Sequence, residues 1–191
     1  QLPIPGTAGG RLDYYVEAGA PLGVGGGQRY APKFAEGKPA GFNYPFGSAG
    51  IRITEFMYSG NGDEFVELTN TSGAPIDLTG WSIDDGSANA GTFDLSAAGV
   101  LNPGDSIVIT EGAAASFQLD WGLSGVTVLE GNVNATFGRN DGIYVFDDTG
   151  AIEDRLLYGD EDFPGSVRAR EASAWVCTDG IGAENPLLWS L

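Results

Sequence analysis

The side chains that could do chemistry in this 191-residue chain are carboxylates: 26 Asp and Glu against 9 Lys and Arg, with no histidine and one cysteine. Without an imidazole, Ser-His-Asp and Cys-His catalysis, His-ligated zinc and histidine pH switching are excluded. The single Cys177 excludes an intrachain disulfide and a cysteine-rich metal site, and reads as a packed thiol. The acids cluster at Asp84-Asp85, Asp147-Asp148 and Asp160-Glu161-Asp162, in or near turns. Calcium is bound by about six to eight oxygens. The run Tyr158-Gly-Asp-Glu-Asp-Phe-Pro-Gly165 makes Asp160, Glu161 and Asp162 the candidate calcium ligands, against the alternative of a solvated acidic loop. None of the clusters follows EF-hand spacing. No cofactor is required, and calcium is the one these residues could hold.

Paired carboxylates also raise glycoside hydrolysis, which needs two carboxyl groups about 5–9.5 Å apart in a cleft. Among so many acids such pairs arise by chance, and Trp81, Trp121, Trp175 and Trp189 outline no sugar-stacking groove. The chain therefore reads as non-enzymatic. Asn70-Thr-Ser72 and Asn134-Ala-Thr136 fit the glycosylation tripeptide and are read as turn chemistry. A formal charge of −17 repels phosphate backbones and anionic membrane surfaces, which argues against nucleic acid. No apolar run approaches the roughly 18 residues of a membrane helix, so direct membrane insertion is not expected.

The elements that must position these groups are short strands. The 31 glycines are about twice the usual share of roughly 7 %. From Ile51 the pattern has period two: Ile51, Ile53, Glu55 and Met57 on one face, Arg52, Thr54, Phe56 and Tyr58 on the other. Further strands are expected at Glu64–Thr69, Ile76–Ile83, Gly91–Leu95, Ser106–Thr110, Thr127–Leu129, Gly142–Phe146, Ile152–Tyr158 and Ser173–Val176. Leu101-Asn-Pro-Gly104 and Asp147-Asp-Thr-Gly150 supply turns. Gly112–Leu119 alone reads as a helix, of about two turns. Short strands at this spacing make the chain all-β, a sandwich or barrel.

The first fifty residues differ from the rest. Arg11, Arg29, Lys33 and Lys38 face Asp13, Glu17 and Glu36, a net charge of +1, which leaves −18 on the remainder. Twelve of the glycines lie here, with Tyr14, Tyr15, Tyr30, Phe34, Phe42, Tyr44 and Phe46, seven of the chain's 21 aromatics. A solvated linker would not need those rings. The division is an irregular arm over 1–49, a body over 50–178 and a tail over 179–191. The arm either wraps its own body, is disordered, or docks on another copy by strand addition or by burying its aromatics in a neighbour's groove. In that last reading the seven aromatics are the self-association residues. The chain begins at Gln1, as a processed form or a fragment would.

Ile51-Arg-Ile-Thr-Glu-Phe-Met-Tyr58, Asp63-Glu-Phe-Val-Glu-Leu-Thr-Asn70, Ile76-Asp-Leu-Thr-Gly-Trp-Ser-Ile83, Leu101-Asn-Pro-Gly-Asp-Ser-Ile-Val-Ile109 and Asn140-Asp-Gly-Ile-Tyr-Val-Phe146 together resemble the lamin tail domain, its bacterial secreted branch most closely. The resemblance spans roughly 50–176 and implies an immunoglobulin-like β-sandwich. It implies a binding or structural module, outside the cell or at its surface, and brings no catalytic residues. In Gly80-Trp81 the indole is expected to fill the gap between the sheets, and Glu55 and Glu67 to cap amides or pair with Arg52 or Arg155. The expected function is a structural module that self-associates through its arm into a surface layer, sheath or filament. Its partners are other copies or a surface protein. The alternative is a module that binds glycan, mineral or protein, or an accessory domain of a larger secreted protein.

Overall fold

The computed structural model describes residues 50–60 and 63–191; the seven aromatics of the leading arm lie outside them. In chain order the elements are β1 (Ile51–Met57), β2 (Phe65–Asn70), β3 (Ile76–Asp77), β4 (Ser82–Asp84), β5 (Phe93–Asp94), β6 (Val100–Leu101) and β7 (Ser106–Thr110). They continue with α1 (Ala114–Trp121), β8 (Thr127–Leu129), β9 (Asp141–Phe146), β10 (Ile152–Tyr158), β11 (Ala174–Val176) and β12 (Trp189–Ser190). One sheet has the order β12-β11-β1-β2-β7-β8, a second β10-β9-β4-β5, and β3 pairs with β6 alone. Among the described strands all pairings are antiparallel except β7 with β8, where a parallel partner requires a crossover and α1 lies within it.

Alternation sets the two faces of the six-stranded sheet. Val66 and Leu68 of β2 and Ile107 and Ile109 of β7 point inward, and meet Ile83, Ile143, Val145 and Leu156 from the other sheet. Phe65 and Val108 point outward, where Phe117 and Trp121 of α1 pack on them together with Met57. Phe117 and Trp121 are four residues apart and so share one helix face. Both meet Phe65 edge-on, at 5.2 and 5.1 Å between ring centroids.

In β1 a bulge between Ile53 and Glu55 changes the expected pattern. Ile51 and Ile53 point inward, but beyond the extra residue it is Phe56 and Tyr58 that enter the core, while Met57 joins the outer cluster. A bulge inserts one residue into a strand, so the face reverses after it. A second bulge, between Ile152 and Asp154 of β10, lies at the same seam. There β1 and β10 are joined by side chains: Ile53 N donates to Asp154 Oδ2 at 2.8 Å and Arg52 Nη1 donates to Glu153 O at 2.6 Å.

The expected strand Ile76–Ile83 divides in two. Asp77 Oδ1 accepts from Thr79 N and Oγ1, turning the chain, while Leu78 drops into the core. β3 then pairs with β6 and β4 with β5 and β9. Gly80, at φ 80°, takes the turn, and Trp81 lies half-buried against the core rather than filling its centre. Residues 179–191 are no appendage: Ile181 and Trp189 belong to the core, and β12 pairs with β11. Trp189 meets Phe56 edge-on at 5.3 Å.

Two outcomes follow for stability. Trp189→Ala should cost about 3–5 kcal/mol through the cavity it leaves, read as a lowered denaturant midpoint; an unchanged midpoint would return 179–191 to the status of a tail. Asp154→Ala should cost about 1–3 kcal/mol by orphaning the buried Ile53 amide, and Asp154→Asn less, since its carbonyl still accepts.

Candidate functional site

The proposed calcium ligands are held by an arginine. Arg139 donates through Nε to Asp160 Oδ1 at 2.7 Å and through Nη2 to Asp160 Oδ2 at 2.8 Å, and its Nη1 lies 3.0 Å from Glu161 Oε1. The Arg139 hydrogen bond holds the Asp160 carboxyl below its ordinary range. Asp162 is exposed beside them. A calcium ion here would have to displace a guanidinium from a two-pronged contact. The other acidic pairs serve turns: Asp147 Oδ1 accepts from Thr149 N, Thr149 Oγ1 and Ala151 N, and Asp84 Oδ2 from Ser87 Oγ and Asn89 N. Among the described residues no group of three or more Cys, Asp or Glu side chains is placed to hold a metal ion.

The unusual carboxyl groups are buried ones. Glu55 and Glu67 face each other across β1 and β2 at 1 % and 0 % exposure, too enclosed for a substrate to reach. Neither makes the ion pair expected with Arg52 or Arg155, whose partners are Glu153 and Glu184. Glu67 Oε1 instead accepts from Thr54 Oγ1 at 2.5 Å, Thr54 meets Thr69 at 2.9 Å and Thr69 meets Ser106 at 2.8 Å. Ser173 Oγ donates to Glu55 Oε1. Glu67 Oε2 is buried without a hydrogen-bond partner. Burial, and then the neighbouring Glu55, pushes the Glu67 carboxyl well above the usual range, with Thr54 pulling the other way.

Glu64 closes one end of the sandwich. Its Oε2 accepts from Phe137 N at 2.7 Å, while its main-chain carbonyl accepts from Thr110 Oγ1 at 3.0 Å. Burial raises its pKa to about 8, helped by Glu111, Asp141 and Asp85 and opposed by the Phe137 amide. Asp154, at the seam, is raised to about 6, again chiefly by burial.

The remaining sequence candidates have local roles. Asn70 is fully buried; its Nδ2 donates to Ala74 O and Leu101 O and its Oδ1 accepts from Ser72, so its side chain is committed to a turn. Cys177 is exposed, not packed, because it follows the last inward residue of β11 and precedes a 3-10 turn. Phe56, Leu156, Tyr158, Val167, Pro186 and Trp189 enclose a gap with no room for a water molecule. No helix among the described residues is long and apolar enough to cross a membrane.

Two packed β-sheets with one short helix define an immunoglobulin-like β-sandwich. Residues 45–160, more than half of the chain, match the model of the lamin tail domain, and the chain belongs to that family. The matched region ends before β11 and β12, which complete the larger sheet. No curated protein matches the chain.

The buried carboxyls set the pH dependence of stability. Between the ordinary carboxylate value of 4.5 and the native value of about 8, Glu64 holds a proton that the unfolded chain has lost, so stability falls as pH rises through that window. Glu67 and Asp154 act in the same direction. Asp77, Asp94, Asp147 and Asp160, all lowered by hydrogen bonds, withdraw stability only as pH falls below 3.8. Thermal melts should therefore peak near pH 4–5 and decline towards pH 8. Glu64→Gln should flatten that decline by roughly 2 kcal/mol, a figure discounted for solvent screening; a melting temperature that rises from pH 5 to 8 would contradict this.

Proposed function

We propose that this chain is a non-enzymatic extracellular structural module, of the secreted bacterial kind, whose arm joins it to further copies in a surface layer, sheath or filament. The observation that carries this is the division of the chain: seven aromatics and a charge of +1 in the arm, and −18 in the rest. The family is Ig-like, non-catalytic and often engaged in protein interactions, which favours an interaction role over a reaction.

The sandwich lends support by what its edges lack. In the six-stranded sheet the outer strands β12 and β8 have two and three residues, and in the four-stranded sheet β5 has two. The seven-residue edge β10 carries a bulge and the inward-pointing Asp154, features that discourage edge-to-edge pairing. Strand pairing between bodies is thus disfavoured, and like charge opposes their approach. An arm reaching the next body makes a head-to-tail contact, which generates rings or open fibres. Its aromatics supply the affinity and its charge the steering.

Light scattering and electron microscopy of the full chain should show particles that grow with concentration. A chain lacking residues 1–48 should keep the same circular dichroism and remain monomeric. If the shortened chain assembles as well as the full one, the arm is not the joining element.

A further inference from the structure

We propose that Glu64 is a proton-operated latch on the segment between β8 and β9. With its proton it stays inside the sandwich and holds the segment shut; without it the carboxylate leaves for water and frees residues 131–138. The inference rests on the sandwich alone and is independent of the arm.

The segment has little backbone support. Between Leu129 and Asp141 no residue lies in a strand or helix. Asn132 N donates to Thr110 O at 3.0 Å, and the Asn132 side chain bonds within the segment, to Ala135 N and O. Gly138 N donates to Asp141 Oδ2 at 2.7 Å, and Gly138 O accepts from the Tyr158 hydroxyl at 2.8 Å. Between these ties Phe137 and Ala135 are buried, Phe137 in the core, while Val133, Asn134 and Thr136 are exposed. The Phe137 amide is held across the gap by Glu64 Oε2, from the residue that leads into β2. Releasing Glu64 therefore releases the one aromatic anchor of the segment.

The latch sits where a charge is costly. Glu64 is 7 % exposed, and its Oε1 is buried without a hydrogen-bond partner. The charges that act on it most are Glu111 after β7, Asp141 at the start of β9 and Asp85 after β4, all of them acids. Asp141 is fixed in place, because its carboxylate accepts from Gly86 N, Gly142 N and Gly138 N at 2.9, 2.8 and 2.7 Å. The other charged groups at this end are engaged elsewhere or lie at the surface. Asp63 rests against Gly112, Glu130 Oε2 accepts from Ala114 N and Arg139 is paired with Asp160 and Glu161. Arg168 donates to the Tyr58 hydroxyl, and Arg170 is exposed.

Ionised Glu64 would accept the Phe137 amide more strongly, but burial beside three like charges outweighs that bond and sets its native value at about 8. In the open segment the carboxyl group meets water and returns to its ordinary 4.5. Opening thus releases a proton at any pH between the two values. It becomes more favourable as pH rises through that interval and stops responding above it. Local opening of a segment with so few backbone bonds takes less free energy than unfolding the sheets.

Hydrogen exchange of the full chain, read residue by residue by NMR from pH 5 to 9 and corrected for base catalysis, tests the latch. The amides of Ala135, Phe137 and Gly138 should exchange faster than those of Val66, Leu68, Ile107 and Ile109 at every pH. Their protection should fall by up to tenfold per pH unit between pH 5 and 8, then level off. Glu64→Gln keeps an acceptor for Phe137 N but has no proton to lose, so the fall should vanish while the circular dichroism is unchanged. Equal protection of segment and strands at every pH would mean that 131–138 open only with the whole sandwich, and would overturn the latch. A segment that opens early but equally at pH 5 and 8, or a fall that survives in Glu64→Gln, would overturn it as well.

Discussion

The sandwich depends on satisfying backbone amides where its two sheets part. β1 pairs with β2 along its whole length, but with β11 only at Glu55 and Phe56, so among the described residues its first residues have no strand on that side. An amide left buried there costs about as much as a lost hydrogen bond. Asp154 answers this from β10 by accepting from Ile53 N, and Arg52 answers the facing carbonyl of Glu153. The bulges in β1 and β10 both fall at this point because each strand must turn a side chain towards the other in place of its backbone. Glu64 repeats the device at the end of the sandwich, accepting from Phe137 N. Each carboxyl group is raised in pKa by the burial that makes it useful as an acceptor.

Most of the fold was legible in the alternation of apolar residues, since Val66, Leu68, Ile107, Ile109, Ile143 and Val145 line up inward as period two requires. What was not legible were the points where one residue changes the count. The β1 bulge carries no glycine or proline to announce it, and it moves Phe56 and Tyr58 from the face expected to hold Arg52 and Thr54 to that of Ile51 and Ile53, in the core. Ile76–Ile83 looked continuous because Leu78 and Ile83 are both core residues, though they sit on separate sides of a turn. Trp189 was read as tail because its partner, Phe56, lies more than a hundred residues earlier and no local pattern links them.

The calcium reading shows the same limit at the site. On the ladder between β9 and β10, Tyr158 pairs with Asp141, and two residues further Arg139 comes opposite Asp160. That pairing could be counted outward from the Asp147–Gly150 turn, except that the bulge between Ile152 and Asp154 shifts the count by one and would set Asp160 against Gly138. A single unmarked residue thus separates an acidic loop in search of a cation from a closed ion pair. Glu67, by contrast, shares the face of Phe65 by simple alternation, the two being two residues apart in β2. Its burial was hidden because it depends on what covers that face, of which only the i, i+4 spacing of Phe117 and Trp121 gave a local sign.

In the assembly proposed above, charge and burial would divide the work of association. A body carrying −18 repels its own kind, but at physiological ionic strength that field is screened beyond about 8 Å. Repulsion can therefore keep bodies from meeting face to face without preventing an arm from reaching one. Burial of Glu64, with a pKa of about 8, also removes a charge from the body near neutral pH, so the formal value overstates the field. On that proposal the affinity would come from apolar area: the arm holds a third of the chain's aromatic rings, each worth about 150–250 Å² when buried. Such a contact weakens little with salt, whereas the rate of forming it falls as salt screens the attraction between a +1 arm and an acidic body. The opposite balance, an extent of assembly that collapses with salt while its rate holds, would mean that the arm binds by its four basic residues and that its aromatics serve only to fold it.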